Sequence, residues 1–534
     1  MKERRPRWPL VALCCAFIAA GVVFARHLGI ETDEAMIANG IYDHGDPWYS
    51  WKFGGSEIPV MLISYLGALK TWIYNPYFLL WKPGAVSLRL PTIIAGAATL
   101  WIFFALLDSF AGRLAAWIGT LLLATDSVFL LMETTDFGFV ALQCLLKLSA
   151  ILLLLRFHRR GSPWALAAAF FLFGLAMWDK VVFAWVLFGL AAGAIVAFPR
   201  ELWSHLTKRN LAIASASLIF GALPLAIYNI ARPLETLRMN AKLTPETAFR
   251  KAGILFQTLD GYALFGFMTA SDAGPRPGAP HRMLQWLSLR LSDWTGAPHR
   301  NLILPALALS VLIALFARRA RKPVLFAVVT CAATWLAMAF TQGAGATVQH
   351  AILLWPFHLL AIAVALAQIP SRAATAVTAL LCISNVALTN HYYADLIRNG
   401  PAIRWTDAVD PLEKYLAASY SATPGVERIF VMDWGFFETL NLLSEGELPV
   451  YNGDVSDTGM LDRIVSGPKH LFVAHTPEYA YQPEMRARLE ERARADGFQE
   501  ESVALISDRN GRPTFEVFRF RKDLIQSSAL QSRP

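Results

Sequence analysis

The sequence predicts a polytopic α-helical membrane protein of about eleven spans, followed by a soluble C-terminal α/β domain. Three observations carry this prediction. Of the 534 residues, 55% are hydrophobic and 16% charged, against about 25% charged in an ordinary soluble domain, and the mean hydropathy is +0.41. Apolar runs close to the ~20 residues that cross a bilayer recur through the first 390 residues. Beyond that point the pattern changes to short β-rich runs and charged helical stretches.

The first apolar run, Trp8 to Phe24, follows the basic segment that holds Arg4, Arg5 and Arg7. No small-residue cleavage site ends it, so it reads as an uncleaved first span. Further runs fall at 91–108, 114–131, 138–155, 163–178, 181–198, 210–230, 302–317, 323–340, 350–369 and 373–390. Basic residues cluster in alternate loops: Arg113; Arg156, Arg159 and Arg160; Arg200, Lys208 and Arg209; Arg318, Arg319, Arg321 and Lys322; Arg372. The intervening connections 132–137 and 341–349 contain no Lys or Arg. The positive-inside rule then sets a cytoplasmic N-terminus, and an odd number of spans sends the C-terminus outward. The expected home is a cell (inner) membrane, with the bilayer itself as a partner.

Three long segments face outward in this scheme. Segment 27–90 holds Ile58 to Ile63 and Leu66 to Trp72, expected as interfacial helices. Segment 231–301 mixes Pro, Gly and aromatic residues. The tail, 391–534, reads as an α/β domain with strands at 428–432, 470–474 and 514–519 and a charged helix at 486–495. The membrane module is accordingly 1–390.

The net charge of +8 does not point to nucleic acid. The basic excess sits in short loops between apolar runs, and no basic patch interleaved with aromatic residues occurs. From His391 onward the tail carries 22 acidic and 16 basic residues. The five cysteines, Cys14, Cys15, Cys144, Cys331 and Cys382, all lie in apolar runs without metal-ligand or disulfide spacing.

Polar residues that break the apolar pattern fall on one predicted side. Glu31-Thr32-Asp33-Glu34 follows the first span, as a solvated edge or as a general base or cation site. Glu133-Thr134-Thr135-Asp136-Phe137-Gly138 fills a very short connection at the outer surface, where acids mark function or cap a helix. Lys180, after Trp178-Asp179, breaks the charge rule and pairs with an acid, snorkels, or meets an anionic substrate. Gln349-His350 opens the tenth span, and Arg89 enters the second from outside. Arg238, Lys242, Arg250 and Lys251 form a basic run suited to anionic headgroups or to solvent. An enzyme acting on a lipid-linked phosphate wants this layout: a carboxylate to activate an acceptor hydroxyl and cations to receive the departing phosphate. A transporter or flippase for a lipid-linked or anionic solute is the competing reading, and it lacks the internal repeats such folds often carry.

Over residues 8–390 the chain resembles the GT-C glycosyltransferases that use polyprenyl-phosphate sugars, near the protein O-mannosyltransferases and the aminoarabinose transferases of lipid A. The resemblance rests on Thr32-Asp33-Glu34, Gly54-Gly55-Ser56, Pro59, Tyr65-Leu66, Leu88-Arg89-Leu90-Pro91, Thr135-Asp136-Phe137-Gly138, Gly174-Leu175-Ala176 with Lys180, and Gln349-His350 with Pro356, in that order. It implies transfer of a hexose or pentose from a polyprenyl-phosphate donor to an envelope acceptor, with inversion. Asp33 would be the base, with Glu34 alongside, and Asp136 would shape the site. Lys180, His350, Arg89 and Glu133 would contact substrate. A divalent ion is left open, with Asp33, Asp136 and His350 as available ligands. His350 departs from the family, because some relatives carry Arg there. In the tail only Asp433-Trp434-Gly435 and Asp454 suggest acceptor contacts.

Overall fold

The computed structural model describes residues 8–40, 47–240, 242–276, 282–422, 425–453 and 458–522. Arg4, Arg5, Arg7 and Asp454 therefore lie outside the described residues. Six helices are long and apolar enough to cross a membrane: Trp8–Ala25, Ala85–Phe110, Ala141–Arg160, Arg318–Phe340, Val348–Leu366 and Ser371–Arg398. Three bent pairs raise the number to nine, if each pair is one span. Two expected spans are the shorter apolar helices Pro163–Asp179 and Ile303–Phe316. The chain is thus a multi-pass helical membrane protein, and by length six to nine of its described segments span, against the eleven runs expected.

The difference has two sources: the two apolar helices of 17 and 14 residues, and helix breaks that hydropathy does not register. Arg113–Thr125 and Ser127–Thr135 meet at 61°, because Asp126 caps the second helix, accepting from the Phe129 N–H at 2.7 Å. Phe183–Ala197 turns into Pro199–His205 at 109°, and Lys208–Gly221 into Leu223–Ala231 at 70°. Pro199 and Pro224 sit in the first turns of the second helices, where a missing N–H costs nothing. Helices Pro163–Asp179 and Lys208–Gly221 cross closely. A Cβ on Gly174 would lie 2.3 Å from the Leu218 carbonyl oxygen, and one on Gly221 2.2 Å from that of Phe171, the small-residue contact that apolar helices favour in lipid.

Contacts sort the helix ends into two groups. At one end His158 Nδ1 lies 2.9 Å from His205 Nε2, Lys322 donates to Glu201 at 2.7 Å, and Arg159 donates to the Ser109 carbonyl. These are the basic loops. The other end carries the candidate site.

The expected interfacial helix at Ile58–Ile63 is instead a strand. Strands β1 (Tyr49–Phe53), β2 (Ser56–Ile63) and β3 (Leu66–Gly67) form an antiparallel meander. Gly54 and Gly55 have φ of 57° and 88°, which supply the two-residue turn that starts a hairpin. The second expected helix exists as Leu69–Phe78.

Helix Ser371–Arg398 runs past residue 390 into the tail. There a five-stranded sheet has the order β5 (Val450–Asn452), β4 (Arg428–Val431), β6 (His470–His475), β8 (Pro513–Lys522), β7 (Phe498–Ser507). β4 runs parallel to both β5 and β6, while β8 is antiparallel to β6 and β7. Helices Val409–Ser421, Phe437–Leu443 and Pro483–Ala495 cover it. The tail docks on both long loops. Gly29 N–H donates to the Trp405 carbonyl at 2.8 Å, Asn39 donates to the Glu438 carbonyl at 2.8 Å, and Arg512 donates to the Asp272 carbonyl at 2.6 Å.

Candidate active site

The acidic motif Glu31-Thr32-Asp33-Glu34 folds as the start of helix Thr32–Asn39. Glu31 is the N-cap and accepts from the Asp33 N–H at 2.7 Å, while Glu34 reaches back to the Glu31 N–H at 3.0 Å. This reciprocal box suits carboxylates at a helix N-terminus. It also sorts the three acids. Glu31 and Glu34 turn inward and are buried, whereas the Asp33 side chain keeps 30% exposure.

Glu34 is held by Arg89. Arg89 Nε and Nη2 donate to its two oxygens at 2.8 and 2.6 Å. Nη1 donates to the Ala25 and Leu28 carbonyls at 3.0 and 2.8 Å, and Nη2 to that of Gly29 at 2.6 Å. A guanidinium has five N–H groups, and all five are engaged. In this arrangement Arg89 has no N–H left for the phosphate contact expected of it, and it clamps the loop after the first span. Glu34, its counter-ion, has no free face for catalysis.

Asp33 lies among cations. Arg404, from the tail, meets Glu31 at 2.5 Å and Asp33 at 3.7 Å. Its guanidinium stacks over Phe137, Phe267 and Trp434 at 5.1, 5.8 and 5.0 Å from the ring centres. Burial pushes the Asp33 carboxyl above its ordinary value, against the pull of Arg404 and Lys180. Glu31 is pushed up to about 8 by burial and by the Asp33 charge, with Arg404 opposing.

Asp136 ends helix Ser127–Thr135 in the left-handed region, at φ 49°. One oxygen accepts from the Val140 and Ala141 N–H groups at 2.8 Å each, which caps helix Ala141–Arg160. The other meets the buried ammonium of Lys70. Of the two readings open for this short loop, the hydrogen bonds show the capping one. Glu133, expected at the surface as a substrate contact, is fully buried and faces Gly96 within the bundle; the helix that carries it turns it inward.

Lys180 is buried, and its Nζ donates to the Gly138 carbonyl at 2.5 Å. Gly138 has φ 72°, and a Cβ on it would lie 1.7 Å from Gln349 Oε1. Gln349 thus covers the glycine, and the neighbouring His350 rests with Nδ1 3.1 Å from Thr347 Oγ1. The structure brings Asp33, Asp136, Lys180 and His350 to one end of the bundle, with Lys180 in electrostatic reach of the other three. As a metal set, Asp33, Asp136 and His350 do not fit: Asp136 is engaged by Lys70 and two N–H groups, and no three His, Cys, Asp or Glu side chains converge for an ion among the described residues.

Sequence reasoning missed Lys70 and Arg404. A lysine inside the apolar stretch Leu66 to Trp72 was a usable signal, since such a charge needs a partner. Arg404 carried none, because its partners lie at the far end of the chain.

No family model matches the chain, and no curated protein matches it. Solved structures do. The crystal structure of ArnT from Cupriavidus metallidurans bound to undecaprenyl phosphate is similar with a TM-score of 0.58, covering 96% of this chain and 98% of that one at 13% identity. ArnT from the same organism in the apo state is similar with a TM-score of 0.58, at 95% and 97% coverage and 12% identity. The chain has this fold, the GT-C type that the motif order led us to expect.

Proposed function

We propose that the chain is a membrane glycosyltransferase that moves a sugar from a polyprenyl-phosphate carrier to an envelope acceptor. The observation that carries this reading is Asp33, the one acid of its motif with an open face, set between Arg404 and Lys180. The likeness to ArnT, a protein crystallised with undecaprenyl phosphate, supports the donor class. Asp33 takes the proton of the acceptor hydroxyl as its oxygen attacks the anomeric carbon. The bond from that carbon to the phosphate oxygen breaks, its electron pair leaves with the polyprenyl phosphate, and the anomeric centre inverts. Lys180 and His350 face the charge that develops on the phosphate. Asp136 holds Lys70 and the helix start beneath them.

The sugar is a hexose or a pentose, and the acceptor is an envelope glycolipid, glycan or protein. The positive-inside pattern puts the basic loops in the cytoplasm and the tail outside an inner membrane. The competing transporter reading has no comparable support in fold or geometry. Mass spectrometry of envelope lipids, glycans and proteins from cells with the gene, without it, and with Asp33→Asn tests the proposal. A sugar adduct present only with the wild-type chain is expected, the variant losing about 10²- to 10⁴-fold in transfer. Identical profiles in all three strains would sink the enzyme reading.

A further inference from the structure

A narrow cleft lies where the tail meets the first long loop. It has room for about one water molecule, and its lining includes Ile30, Arg404, Trp434, Phe436, His475 and Tyr481. Trp434 and Phe436 follow β4, while His475 ends β6 and Tyr481 follows it; β4 and β6 are adjacent parallel strands. Open α/β sheets take ligands at this edge, outside the carboxyl ends of parallel strands.

The edge is built around one buried acid. Asp433 accepts from the Tyr481 and Gln482 N–H groups at 3.1 and 2.8 Å and meets His475 Nδ1 at 2.7 Å. It also accepts from the Trp434 N–H at 2.8 Å. One carboxylate thereby fixes both loops and the orientation of the imidazole. The loops present Trp434 and Tyr481, 39% and 41% exposed, with ring centres 5.4 Å apart and planes at 78°. Arg404 spans the distance to the membrane site, stacking on Trp434 at 5.0 Å and reaching Asp33 at 3.7 Å.

We propose that the mouth of this cleft is the acceptor subsite, and that a sugar ring of a carbohydrate-bearing acceptor stacks there on the exposed faces of Trp434 and Tyr481. This rests on the glycosyltransferase reading above. An exposed aromatic face suits the C–H face of a pyranose, while Arg404, 27% exposed, offers a polar contact to its hydroxyl groups. An acceptor seated there lies one side chain from the base. The tail then selects the acceptor, and the membrane module selects the donor.

The test uses the full chain reconstituted in vesicles with membrane extract that supplies the polyprenyl-linked sugar. Total envelope lipid from a strain lacking the gene is the titrated acceptor, and product is read by mass spectrometry. Trp434→Ala and Tyr481→Ala should each raise the half-saturating amount of acceptor about tenfold, the weight of one aromatic contact. Trp434→Tyr should restore most of it. Asp33→Asn should fail at every acceptor concentration. Wild-type acceptor dependence in both alanine variants overturns the subsite and leaves the enzyme reading intact. So does a loss confined to the saturated rate, which marks a structural role. Transfer by the wild-type chain to protein alone overturns the carbohydrate assignment in the same way. No transfer by the wild-type chain to lipid, glycan or protein overturns the enzyme reading and the subsite with it.

Discussion

Replacing Arg89 with Met separates a structural clamp from a substrate contact. The side chain and its partner Glu34 are 1% and 3% exposed. Removal leaves a buried carboxylate without its counter-ion and three carbonyls, of Ala25, Leu28 and Gly29, without a donor. Breaking a buried pair from one side costs about 3–5 kcal/mol, since the remaining charge is uncompensated. Each stranded carbonyl adds to that cost. The temperature at which the detergent-solubilised protein loses its monodisperse peak should fall by about 10 °C, with the conversion taken from large soluble domains. The double variant Arg89→Met/Glu34→Gln should recover part of the loss, because it removes the stranded charge while the carbonyls stay unmet. The measurement is size-exclusion chromatography after stepwise heating of the wild type, both single variants and the double. An Arg89→Met protein as heat-resistant as wild type, but unable to transfer, would refute the clamp and return Arg89 to the donor phosphate. A double variant no better than the single would refute the charge argument.

The acid side of the pH–rate profile reports Asp33, whose base form must be present. Its carboxyl is raised by burial, so transfer should fall as pH drops through a value above that of an ordinary Asp. Glu31, Glu34, Arg404, Lys180 and Tyr65 are the charged or titratable groups around it. Arg404→Gln removes a cation that favours the ionised form, so that limb should move to higher pH; movement to lower pH refutes the assignment. Gly138→Ala forces a side chain onto a φ of 72° and into Gln349. Displacing Gln349 and His350 by about 1 Å should cost on the order of 100-fold in transfer, and product formation at wild-type rate in membranes with equal protein would rule out a role for that patch.

The membrane scaffold was legible because lipid imposes a crude constraint, long apolar helices, that any hydropathy count detects. The bend at Asp126 was less visible, since one capping carboxylate barely lowers the mean of a long run. Yet Thr125-Asp126-Ser127 is a helix-start signature in plain view. Ile58 to Ile63 misled for a different reason. Its buried run Val60-Met61-Leu62 does not alternate, so the strand pattern was hidden and only Gly54-Gly55 betrayed the hairpin. In the site, Asp33, Asp136, Lys180 and His350 stood out as polar residues in apolar surroundings. What the sequence withheld was pairing. Arg89 looked like a free cation until its five bonds were seen, and Arg404 was one arginine among many in a charged tail.

The tie between Glu31 and Arg404 bears on how the protein is made. Glu31 leaves the ribosome soon after the first span, while Arg404 emerges only after the last membrane helix, which ends at Arg398. Glu34 meets Arg89 as soon as the second membrane helix is in place, but Glu31 lacks its counter-charge until the tail arrives. The pairing therefore forms only once the tail has been delivered, and a nascent or truncated chain that has inserted every helix still lacks it.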